Sequence, residues 1–104
     1  MAAPAQPTKT DTFAAISACF SRDLAALISE DAPHDPTPNE FIDLVVRARD
    51  FTADARGGQL QTAQQALDRA VTRLTDALTS SGNDQRSLLA RARMYLRTAI
   101  EATR

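Results

Sequence analysis

The chain holds one histidine, His34, one cysteine, Cys19, and one tyrosine, Tyr95. Nucleophilic catalysis needs a nucleophile and a base within hydrogen-bond reach of each other. These three residues fall on three different predicted elements, so the spacing sets up no such pair. His34 stands among acids in a proline-rich loop, and no second histidine or cysteine lies near it to complete a zinc site. No Glu-x-x-His pair, the signature of metal sites in helical bundles, occurs. Gly57-Gly58 follows no strand and precedes no Gly-Lys-Ser, so it is not a phosphate loop. The residue types therefore point away from an enzyme, and no metal or cofactor is expected.

One sharp feature is left. Arg86, Arg93, Arg97 and Arg104 recur at spacings that place them within roughly 40° of one another on a helical wheel. They form one arginine row along a predicted final helix, the candidate contact for a partner or for phosphate. Residues 1–54 carry nine acids against four basic residues, a net of −5; residues 55–104 carry eight arginines against four acids, a net of +4. The plainest counter-charge for the row is internal, from Asp43, Asp50, Asp54 or the acids of the first helix. A second source is acids on another protein. A third is a phosphate backbone gripped by arginine forks. No aromatic is interleaved with the arginines, so a single-strand stacking platform is not expected. The third and fourth helices resemble a helix-turn-helix only loosely, lacking a polar base-reading face beyond Gln85 and Arg86.

Hydrophobic spacing defines the elements that position this row. Residues 1–9, with Pro4 and Pro7, read as a disordered tail. A first helix is expected from Thr10 or Asp11, with an apolar stripe of Phe13, Ile16, Phe20, Leu24 and Leu27. Cys19 falls beside that stripe and is expected to be part-buried. Pro33, Pro36 and Pro38 forbid continuation, so the helix should end around Glu30–Ala32. Thr37-Pro38-Asn39-Glu40 is a capping box with proline at the first helical position. It opens a second helix with Phe41, Leu44, Val45, Ala48 and Phe51 facing inward. Asp43 and Arg47 are spaced to pair, while Asp50 and Asp54 repel each other and call for a basic group opposite.

Gly57-Gly58 ends that helix in a turn. The third helix, Gln59 to Ser80, carries three heptad-like rows: Leu60, Leu67 and Leu74; Gln64, Val71 and Leu78; Ala63, Ala70 and Ala77. Gln64 either fixes register within this seam or sits on a solvent-facing margin. Ser80-Ser81-Gly82 stops the helix. The fourth runs from about Asp84, capped by Ser81 or Asn83, with Leu88, Leu89, Ala92, Tyr95, Leu96, Ala99 and Ile100 on its apolar side.

No segment alternates as a strand would. With 104 residues and 43% hydrophobic content, the expectation is all-α: an up-down bundle of four helices spanning 10–104 as a single domain, behind the disordered 1–9 tail. A lone cysteine precludes an internal disulfide and fits a reducing cytoplasm. No apolar run approaches the ~18 residues of a membrane span, and the N-terminus lacks the charged and apolar regions of a secretory signal. The function expected is that of a small cytoplasmic protein-binding module: a regulator, adaptor, antitoxin or immunity protein, or phage-type inhibitor. Homodimerisation through the third or fourth helix is a compatible accompaniment. Nucleic-acid binding through the arginine row is the alternative.

Overall fold

The computed structural model of the protein describes residues 12–54 and 60–103. They form four α-helices: α1 (Phe13–Leu27), α2 (Pro38–Asp54), α3 (Gln61–Leu78) and α4 (Gly82–Ala102). Helices consecutive in the chain pack side by side, and α1 closes against α4. The backbones of the diagonal pairs, α1 with α3 and α2 with α4, make no close approach among the described residues. This is the expected four-helix bundle. The tail, the Gly57-Gly58 turn and Arg104 lie outside the described residues.

The start of α1 differs slightly from expectation. Thr12 is the cap: its backbone is extended, and its hydroxyl accepts the Ala15 N–H at 3.1 Å. The end differs more. The Glu30 N–H reaches the Ala25 carbonyl at 2.8 Å, and the Ser29 N–H reaches Ala26 at 3.2 Å. Ser29 between them is left-handed, with φ of 58°. This is a Schellman closure, normally built on glycine. It stops the helix at Leu27, before the prolines are reached, and no glycine marks it in the sequence.

The capping box of α2 forms as its residue types require. The Thr37 N–H donates to Glu40 Oε1 at 2.9 Å, and the Glu40 N–H to Thr37 Oγ1 at 3.2 Å. The Thr37 backbone N–H, and then the Thr37 side chain, favour the charged carboxylate and hold the Glu40 carboxyl below its ordinary value. Phe41, Leu44, Val45 and Ala48 are buried as expected, but Phe51 is not; it is 48% exposed. The stripe closes instead on Thr52, 3% exposed, whose hydroxyl donates to the Arg49 carbonyl at 2.7 Å. That bond lets a polar side chain occupy the inward position.

In α3 the heptad rows are not equivalent. Ala63, Ala66, Ala70 and Ala77 are buried at the centre, with Leu67 and Leu74 beside them. Val71 and Gln64 are half-buried, and Leu78 is exposed. Gln64 therefore sits on a margin. The alanines allow close approach, and the α3–α4 interface is the most extensive in the bundle. Facing them on α4 are Leu89, Ala92, Leu96, Ala99 and Ile100, all buried. Gly82, the first residue of α4, takes φ of 58°. The Gln85 side-chain amide donates to the Ala77 carbonyl at 3.0 Å, which also accepts the Ser80 N–H at 3.2 Å.

Candidate functional site

Charge on this bundle is sorted by helix. On α2, Arg47 bridges Asp43 at 3.2 Å and also contacts Glu30 beyond the end of α1. Its guanidinium is held above the ordinary arginine value, first by the Glu30 hydrogen bond. Arg49 reaches Asp50 at 3.4 Å and crosses to Asp68 on α3 at 3.2 Å. Arg49, next in sequence, meets Asp50, whereas Asp54 forms no ion pair with a described basic residue, so no described basic group stands opposite both acids.

Part of the internal counter-charge expected for the arginine row is taken elsewhere, while Asp54 and the α1 acid Asp23 form no ion pair with a described basic residue. α2 lies diagonally across the bundle from α4, and Asp43 and Asp50 are matched by arginines of their own helix. Arg86 and Arg97 are exposed, and neither forms an ion pair with a described carboxylate. Arg93 is half-buried and engaged in an interaction of its own. Arg97 borders a depression of about 190 Å³ between α1 and α4, shared with Cys19, Phe20, Asp23, Ile100 and Glu101.

Around the solvent side of α4 lies a feature that the sequence reading missed. Ser87, Ala90, Arg91, Met94 and Tyr95 line a depression of about 350 Å³. Their spacing of three and four makes one stripe along the helix. Met94 is 57% exposed. On the α3 side, the Arg69 guanidinium lies over the Tyr95 ring, 6.0 Å from its centroid. Arg73, one turn further along α3, has a buried Nε with no hydrogen-bond partner. The α4 face is thus an apolar strip with arginines along both margins. The signal was present: Met94 falls on the polar side of the α4 wheel, where a large apolar residue has no folding role.

The groups with intrinsic reactivity stay apart. Cys19 is exposed rather than part-buried. Its place on α1 faces the α4 margin beside Arg97 instead of the core. His34 projects from the loop, 3.9 Å from Asp35, with both side chains almost fully exposed. Tyr95 is half-buried with its ring at the core edge, as expected. The buried pair Ser17 and Ser21 hydrogen-bond to each other at 3.2 Å, against a depression of about 380 Å³ under the 32–36 loop. Asp35 also lines the depression, but no described hydrogen bond joins its carboxylate to either serine. Among the described residues no cluster of His, Cys, Asp or Glu is arranged to hold a metal ion, and no helix is long and apolar enough to cross a membrane.

No protein-family model matches the chain, and no curated protein or solved structure shows significant similarity to it.

Proposed function

We propose that the protein is a small non-enzymatic binding module that occupies an acidic surface on a partner protein, using the arginine margin of α4. A regulator, an adaptor, an antitoxin or immunity protein, and a phage-type inhibitor all act in this way. One observation carries the reading. Arg86 and Arg97 stay exposed and without a described carboxylate partner, while Asp43 and Asp50 of α2 are matched by Arg47 and Arg49. Exposed arginines gain most when a partner supplies a carboxylate in a bidentate geometry away from water.

A protein is favoured over a phosphate backbone by the company these arginines keep. Met94 lies one turn from Arg97 and lines the neighbouring depression with Arg91 and Tyr95, and Arg, Met and Tyr are the side chains enriched at protein interfaces. Asp84 and Glu101 stand exposed on the same helix and would oppose a polyanion. We take the cytoplasm as the compartment, because an exposed lone thiol such as Cys19 would cross-link in an oxidising one.

The test is capture from extract of the native host, comparing the wild-type chain with an Arg86→Glu/Arg97→Glu variant. Both positions are exposed, so the fold should survive, as circular dichroism would verify. A specific protein held by the wild type and lost by the variant supports the reading. A 30-base-pair random duplex, titrated at low salt, tests the alternative. Salt-sensitive duplex binding that the variant abolishes, with no protein partner lost, would replace protein binding by nucleic-acid binding.

A further inference from the structure

We propose that the outer face of α4 is also a docking groove for a second copy of this chain, which inserts Phe51 of its α2, so that the protein associates head to tail. The groove is the stripe of Ser87, Ala90, Arg91, Met94 and Tyr95. Its floor is apolar and its margins are basic, with Arg86 and Arg97 on one side and Arg91 on the other.

The chain itself carries the complementary knob. Phe51 is a large aromatic left 48% exposed at the edge of α2's inward face. Asp54 lies one turn from Phe51 along the helix, and Asp50, next to Phe51 in sequence, is paired with Arg49. Asp54 forms no ion pair with a described basic residue. An aromatic anchor entering an apolar pocket, with carboxylates meeting arginines at the rim, is the usual anatomy of a specific contact. The Met94 thioether and the Tyr95 ring are favourable neighbours for a phenyl group.

Phe51 and the α4 groove are different patches, on helices at diagonal corners of the bundle. A copy can offer Phe51 to one neighbour and its α4 groove to another. The contact is heterologous and propagates until it is capped or closes into a ring. Symmetric α4-to-α4 pairing is disfavoured, because it would set arginine margins against each other. Self-association and the partner binding proposed above use the same arginines and therefore compete. Neither depends on the other, and measurement on the purified chain separates them.

The experiment is sedimentation velocity on the purified protein, from micromolar to about 1 mM, at low and high salt. The weight-average mass should climb above 11.2 kDa with concentration at low salt and fall back at high salt. Phe51→Glu and Met94→Glu, both at exposed sites, should each weaken association by about tenfold or more. An equimolar mixture of the two variants should form dimers and nothing larger, because each retains the face that the other lacks. Three results would overturn the proposal: a wild type that stays monomeric at the highest concentration, association that survives Phe51→Glu, and a mixture that remains monomeric. A groove occupied only by an unrelated acidic protein is the first of these.

Discussion

Arg49 on α2 lies 3.2 Å from Asp68 on α3, and 3.4 Å from Asp50 on its own helix. Its side chain is 28% exposed, the most buried cation in any ion pair among the described residues. Its backbone carbonyl also accepts the Thr52 hydroxyl. This one residue therefore ties the α2–α3 interface from the surface while the turn beneath it lodges a buried threonine in the core. Asp68 stays 61% exposed, so solvent screens the pair. A double-mutant cycle of Arg49→Ala and Asp68→Ala, read by urea denaturation, should give a coupling of about 0.5 kcal/mol. A coupling near zero would make the contact incidental and leave the arginine stem's packing as its contribution.

Ser29 holds the left-handed position of the α1 closure, where a side chain costs roughly 1–2 kcal/mol relative to the right-handed region. Glycine removes that cost but adds freedom to the unfolded chain. Ser29→Gly should therefore stabilise the bundle by about 0.5–1 kcal/mol, with a matching rise in the denaturation midpoint. Ser29→Val should do the reverse. A destabilised Ser29→Gly variant would mean that the Glu30–Ala25 bond does not depend on that conformation.

Glu40 links the start of α2 to pH. Its folded carboxyl lies below the ordinary value because the Thr37 backbone N–H, and then the Thr37 hydroxyl contact, favour the charged form. A depressed carboxyl contributes stability that is full above the unfolded pKa and lost as pH falls through the folded one. The melting temperatures of the wild type and Glu40→Gln should differ most near neutrality. They should converge below about pH 4, as the carboxyl protonates. A constant gap across that window would show that the charge of Glu40 contributes nothing beyond its hydrogen-bond geometry.

Much of the architecture was legible because it rests on local chemistry. Thr37-Pro38-Asn39-Glu40 announces a helix start in three residue types at once, and the apolar spacing of α1 and α4 names most of their buried faces. What escaped depends on geometry that residue types do not encode. Ser29 closes α1 with glycine's conformation but not glycine's identity. Phe51 and Thr52 exchange roles because a threonine hydroxyl can bond back into its own helix, so hydrophobicity alone misplaces the inward edge. The arginine row was visible as spacing. Its lack of a described partner at Arg86 and Arg97 was not, since that depends on α2 lying diagonally from α4 and on Arg47 and Arg49 pairing with Asp43 and Asp50. Met94 was overlooked because an apolar residue on a polar face reads as noise until its neighbours form a groove.

The rows of α3 offer the sharpest contrast between pattern and packing. Leu74 and Leu78 are both apolar, four residues apart, and periodicity alone treats them as parallel members of one seam. Leu74 is fully buried, whereas Leu78 is 39% exposed near the end of the helix. Leu74→Ala should cost about 2–5 kcal/mol through lost burial and the cavity left behind, and Leu78→Ala less than about 1 kcal/mol. Ala70, fully buried at the centre of the helix's inward face, tests the other direction. Ala70→Leu inserts atoms where close packing leaves no space, and should cost about 1–3 kcal/mol despite raising hydrophobicity. Urea denaturation of the three variants measures all of this at once. If Ala70→Leu stabilised the protein, the helices would be held apart by the leucines rather than brought together by the alanines, and the alanine row would lose its place as the centre of the core.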